Sequence, residues 1–229
     1  MGRAVSFSTS VWARYCRAQS ERMLCRYCHG ISGMYGVQLG GWVLSNEVLD
    51  SLALATLFRL TPEQARDDGD LCGALLQLPL ESESLALVLA PFGLDGVTQP
   101  EAVLEEIDRV LMPEGHFMLM ATRSLSPWMR VAPRPLPGLA RVVSYLDGRG
   151  YDIVHRRNYL YRPPVDDQRW LDRLAFMDRL GLGMAGAGLV VARKRVIGVT
   201  RTGVALSMKA KPGRERGHVP AGLAGGGAR

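Results

Sequence analysis

Cys25-x-x-Cys28-His29 is a spacing that could do chemistry. It matches the attachment motif of c-type haem and also half of a zinc site. A structural zinc needs four ligands, and no second CxxC or paired histidines follow, so the motif reads as incidental and no metal is expected. With no secretory signal at the start, the chain is expected in the cytoplasm, with Cys16, Cys25, Cys28 and Cys72 as reduced thiols. His116, His155 and His218 are the candidate bases. His116 opens an apolar run, His155 precedes Arg156 and Arg157, and His218 sits in a basic tail, so structural or solvated roles are the simpler reading of all three. Asp95 and Arg123 each follow an apolar run, where a side chain can touch a substrate or be solvated in a loop. Trp128 precedes the proline-rich stretch VAPRPLPG, which reads as a flap or a connector. The methionines, among them Met112, Met118, Met120 and Met129, read as core filler. No catalytic residue is assigned.

The elements that must position such groups are most legible in the middle of the chain. Leu85–Ala90 is a continuous apolar run, the pattern of a strand buried on both faces. Pro100 stands where a first helical residue belongs, and Val103, Leu104, Ile107, Val110 and Leu111 follow at helical spacing. Pro113 and Gly115 stop that helix, and Phe117–Ala121 is the next strand. Strand, helix and strand at this spacing make a parallel crossover. Upstream, Val11–Tyr27 predicts a leading helix beside the sheet, and the run Gly33 to Gly41 a strand entering a glycine turn. Ser51–Leu60 fits a strand or a helix, and Thr61–Asp70 is loop-like. Downstream, Leu139, Val142, Val143 and Leu146 form a helix face, and Asp152–Leu160 is a strand. Asp166–Leu180 predicts one helix with Trp170, Leu171, Leu174 and Met177 inward, and Gly188–Val199 a last strand paired antiparallel near the sheet edge. The fold class is α/β, an open and mostly parallel sheet with helices on both faces. Ligands bind such sheets beyond the carboxyl ends of the strands, which places a rim at Gly36–Trp42, Pro91–Asp95 and Thr122–Trp128.

With 229 residues, 47% hydrophobic and 22% charged, the chain suits one globular domain with extensions. The expected boundaries are a helical extension over 1–32, the α/β domain over 33–203 and a disordered basic tail over 204–229. No apolar run approaches the roughly 20 residues a spanning helix needs, so no membrane partner is expected. Five basic residues against Glu215 from Lys209 onward hold +4 of the net +6, leaving +2 for the body. The body therefore does not read as a phosphate-binding surface, and the expected contact with RNA is weak and made by the tail.

Two runs carry a family resemblance. They are Gln77 to Pro91 (QLPLESESLALVLAP) and Pro100 to Gly115 (PEAVLEEIDRVLMPEG). The chain resembles S-adenosylmethionine-dependent methyltransferases with the Rossmann-like seven-stranded sheet, and within them the bacterial methyltransferase type 11 branch. Gln38-Leu39-Gly40, Arg109-Val-Leu-Met-Pro-Glu-Gly115, Tyr161-Arg-Pro-Pro164 and Lys194-Arg-Val-Ile-Gly198 match that branch in order along the chain. The resemblance implies S-adenosylmethionine as cofactor, an unidentified methyl acceptor and no metal. It implies cofactor contacts at Gly36, Gln38, Gly40, Gly41, Ala74, Leu75, Pro91 and Phe92. Several family acids are replaced: Gln38 stands for one in the first strand, Ala74 for one before the Leu-Pro pair, and Ala86 for one entering the fourth strand. Glu63 is the acid left near the end of the second strand. Phe92 stands for a histidine, and Ala121-Thr-Arg123-Ser for Gly-Phe-Asn-Pro. Each lost charge-assisted hydrogen bond forfeits about 1.5–3 kcal/mol, which main-chain N–H groups at Gly40, Gly41 and Leu75 offset in part. The alternative is an inactive relative that keeps the fold as a binding or regulatory partner.

Overall fold

A computed structural model describes residues 10–40, 43–61, 70–181 and 183–195. Seven strands form one sheet: β1 (Ser32–Leu39), β2 (Ala53–Thr61), β3 (Leu71–Cys72), β4 (Leu85–Pro91), β5 (Leu111–Thr122), β6 (Tyr151–Tyr159) and β7 (Ala187–Lys194). Their order is β3-β2-β1-β4-β5-β7-β6. From β3 to β5 every neighbouring pair is parallel, and β7 runs antiparallel between β5 and β6. The strand order reverses between β1 and β4.

β4 is buried along its whole length because helices cover both faces of the sheet. Alternate residues point to opposite faces, so Val88 and Ala90 meet one layer and Leu87 and Leu89 the other. The first layer is α3 (Pro100–Val110) and α4 (Leu139–Gly148), packing Val103, Ile107, Val142 and Leu146 against Phe117, Leu119 and Val190. The second layer is α1 (Val11–Cys28) and α2 (Asn46–Ser51), packing Leu24, Cys28 and Val48 against Met118, Met120 and Leu189. Met118 and Met120 are core residues, whereas Met112 is exposed.

Arg109 fixes the segment between β3 and β4, which has no helix of its own. Its guanidinium donates to the Leu78 and Leu80 carbonyls and pairs with Glu106 at 2.8 Å. Glu106 in turn accepts the Leu78 N–H, and Arg109 holds its carboxyl below the usual range.

Three expectations are corrected or resolved. The ambiguous stretch after Ser51 is strand β2. The predicted helix Asp166–Leu180 is two six-residue helices, α5 (Gln168–Arg173) and α6 (Ala175–Leu180), separated at Leu174. Leu171 is buried, but Trp170 is 55% exposed and turned outward. The Asp167 carboxylate accepts the Arg169 and Trp170 N–H groups and sets the start of α5, and Leu174 at ψ 8° breaks the run without a proline or glycine to announce it. The last strand ends at Lys194, and residues 196–199 and the tail lie outside the described residues.

Candidate functional site

The parallel strands β1, β4 and β5 all end at one edge of the sheet. Gly40 follows β1 with φ +65°, the left-handed region that glycine enters without strain. A Cβ on Gly40 would stand 3.0 Å from Gly93 Cα, and a Cβ on Gly93 would stand 2.2 Å from the Leu39 carbonyl oxygen. The turns after β1 and β4 therefore meet main chain to main chain, and glycine is required on the β4 side. Gln38 is buried and its Nε2 donates to the Gly40 carbonyl at 2.9 Å, which locks the turn. Phe92 takes φ +57° while its N–H donates to Met120 O at 2.8 Å. A non-glycine residue held in that region stores strain that the surrounding contacts must maintain.

Asp95 lies one turn further along the same rim. Its Oδ2 accepts the Thr122 N–H at 3.1 Å, at the end of β5. Burial pushes its carboxyl up to about 6, against the opposing effect of the Thr122 hydrogen bonds. The Arg123 N–H donates to Gly186 O, so its loop is tied to the segment entering β7. Trp128 is buried in the space left by Gly186, where a Cβ would stand 2.1 Å from its Cδ1. Its Nε1 donates to Arg162 O at 2.7 Å, and its ring meets Trp12 edge-on at 5.9 Å. Of flap and connector, the structure selects a pinned connector.

A polar cluster beside Trp128 was invisible in the sequence. Tyr15 donates its hydroxyl to Asp178 at 2.6 Å, and Arg162 pairs with the same carboxylate at 2.6 Å while lying over the Tyr15 ring. Burial, reinforced by Asp178, raises the Tyr15 hydroxyl well above its ordinary pKa. The partners stand 163 positions apart, and no local pattern signals such a pair.

The remaining predicted residues divide by position. Pro91 is buried at the end of β4, and Ala74 and Leu75 follow β3 at the same edge, where Ala74 bridges Gln77. Gly36 is not brought to the rim: it sits inside β1 beneath Leu54 and Leu57. Gly41 and Glu63 lie outside the described residues. At the end of β2 stands Thr61, whose hydroxyl donates to Leu71 O. His116 is well inside β5, opposite Arg193, and burial followed by Arg193 lowers its pKa. His155 is on the edge strand β6, and His218 is outside the described residues. Cys28 is buried with its Sγ 3.6 Å from Met118 Sδ, and burial pushes its thiol up to about 12, which makes it a packing group. Among the described residues no three His, Cys, Asp or Glu side chains are grouped to hold a metal, and no helix is long and apolar enough to cross a membrane.

A family model described as "Methyltransferase domain" matches residues 50–119, from α2 to the middle of β5. No curated protein matches the sequence significantly. Among solved structures, an S-adenosylmethionine-dependent methyltransferase from Mesorhizobium loti aligns at TM-score 0.52 and 18% identity, over 78% of this chain and 98% of that one. The fold is that of S-adenosylmethionine-dependent methyltransferases. A chain from the complex of the Haloferax volcanii Trm112 methyltransferase activator with a methyltransferase aligns at TM-score 0.55 and 16% identity, over 81% and 95% of the two chains. The [4+2]-cyclase SpnF aligns at TM-score 0.55 and 15% identity, over 78% and 81%. The same architecture thus carries more than one chemistry.

The methyltransferase family implies S-adenosylmethionine as the cofactor. The main chain of the rim fits that group. Gly40 and Gly93 present no side chain at the switch point, and a Cβ at either would crowd the turn there. Its described side chains add little grip, since Gln38, Thr61 and Asp95 each hold a partner within the chain.

Proposed function

We propose that this rim transfers a methyl group from S-adenosylmethionine to an acceptor still to be identified. The observation that carries the reading is the meeting of Gly40 and Gly93 where the strand order reverses. When bound, the cofactor supplies a methyl already activated by its sulfonium, so the protein contributes mainly proximity and alignment. In this reading Gly40, Gly41, Pro91 and Phe92 hold the cofactor by main-chain groups, Ala74 and Leu75 flank it beyond β3, and Gln38 fixes the turn through the Gly40 carbonyl. Gly36 supports β1 from within the sheet. Asp95, whose burial keeps its carboxyl near 6, is the proton acceptor on the rim and works in its ionised form.

A second reading rests on a specific observation. The polar side chains of the rim are already hydrogen-bonded inside the chain, and a domain of this fold that has dropped its cofactor would keep such bonds as a binding or regulatory partner. Titration with S-adenosylhomocysteine separates the two, read by calorimetry and by the melting midpoint. Methyl transfer requires a saturable heat and a midpoint that climbs with ligand concentration. No heat and no shift at millimolar ligand would remove the enzyme reading and leave the second.

A further inference from the structure

The near-neutral charge of the body conceals an asymmetry. Arg14, Arg22, Arg26 and Arg157 are all exposed, and among the described residues none of them pairs with a carboxylate. They come from α1 and from β6, elements far apart in the described chain. The acid within α1, Glu21, is held by Arg17, and the acid within β6, Asp152, is held by Arg193 and Arg195.

Tyr27 joins the two elements. Arg157 Nε donates to its hydroxyl at 3.0 Å, the His155 ring lies 4.8 Å away, and the Arg26 guanidinium stands 5.8 Å from its ring centre. Arg22 and Arg26 are four apart on α1, where like charges repel unless an anion stands between them. Charges along β6 also guard an open sheet edge against pairing, but that role does not extend to the arginines of α1. A row of unpaired guanidinium groups around a Tyr–His ring pair has the chemistry of a phosphate track with a stacking platform. A lipid surface fits less well: of the exposed large apolar side chains, Val154 alone belongs to α1 or β6. The strip leads toward the rim, since the Val11 N–H at the start of α1 donates to Asp166 in the segment between β6 and β7.

We infer that the surface formed by α1 and β6, centred on Arg22, Arg26, Tyr27, His155 and Arg157, binds single-stranded nucleic acid. This stands apart from the methyl-transfer reading, and from any contact made by the tail. The test is fluorescence anisotropy of labelled oligouridylate and oligothymidylate of about twelve nucleotides on the full-length chain across a salt series. The triple variant R22A/R26A/R157A is expected to weaken binding and to flatten the log–log salt slope by about 2, at about 0.7 per lost phosphate contact. R169A/R173A/R179A removes the same charge from α5 and α6 and is expected to leave the slope unchanged, and R22K/R26K/R157K is expected to retain it. Equal affinity for the two oligomers assigns recognition to phosphate and base stacking, and preference for oligouridylate adds a contact to the ribose hydroxyl. The inference is overturned if neither oligomer binds at low salt, or if the first variant keeps the wild-type slope. It is also overturned if the second variant loses as much as the first, or if phosphatidylglycerol vesicles bind more tightly through the same arginines.

Discussion

At the scale of single residues, Asp95 and Arg109 show how position sets role. Asp95 carries an ordinary carboxyl whose pKa is lifted to about 6 by burial beside Thr122. Because the folded value lies above the unfolded one, the folded state binds more protons between about pH 4 and 6. The group's contribution to stability is therefore most favourable below that window and declines as pH rises through it. Asp95→Asn removes the titration while keeping an acceptor for the Thr122 N–H. Urea denaturation at pH 7.5 is expected to show the variant more stable by up to about 3 kcal/mol, at about 1.4 kcal/mol per pKa unit, with the difference vanishing near pH 4. A variant equally destabilised at both pH values would contradict the assignment. Arg109 does the opposite kind of work, holding two carbonyls and one carboxylate by its planar fork. Arg109→Ala is expected to cost about 2–3 kcal/mol in the same assay, and Arg109→Lys to recover a minor part, because an ammonium cannot reproduce the fork. A fully rescued lysine variant would reduce the clamp to a simple charge effect.

Elements make the rim. β1 and β4 are adjacent and parallel, so their following turns must emerge side by side, and the close contact of Leu39 with Gly93 follows from that pairing. Gly93→Ala would drive a Cβ into the Leu39 carbonyl, and main chain cannot step aside as a side-chain tip can. The expected result is a loss of about 1–3 kcal/mol or more, with a melting midpoint several degrees lower and any S-adenosylhomocysteine response lost with it. A variant that melts with the wild type would show that the turns have room to separate. The long elements were legible from pattern, with an all-apolar run for β4 and helical spacing after Pro100 for α3, but the stop was not: α3 already ends at Val110, and Pro113 and Gly115, expected to end it, lie inside β5. Nor were α5 and α6 legible, because six-residue helices bury too little for a period to show, and Leu174 breaks them without a turn residue.

On the scale of the whole molecule, the sheet order and the layer packing decide what meets at the rim. α1 supplies Tyr15 and Trp12, the connector after β5 supplies Trp128, and the segment between β6 and β7 supplies Arg162 and Asp178. The most specific part of the family resemblance, Arg109 to Gly115, holds the fold and lies away from this edge. That is why the fold was more legible than the candidate site: the residues that carry the resemblance chiefly position the sheet, while Gln38, Ala74 and Ala86 stand where the resemblance implies acids.

By itself the sequence determined the fold class, the glycine turn after β1 and the loop after β4. Burial and backbone conformation impose periodic, local demands on residue type, and those demands can be read one segment at a time. Only the tertiary structure decided that Gly36 serves the sheet interior, that Trp128 is pinned, that Asp95 is a half-buried acid, and that arginines of α1 and β6 come together around Tyr27. Electrostatics and side-chain contact depend on distance through space, and neighbours 130 or more positions apart leave no mark on local pattern.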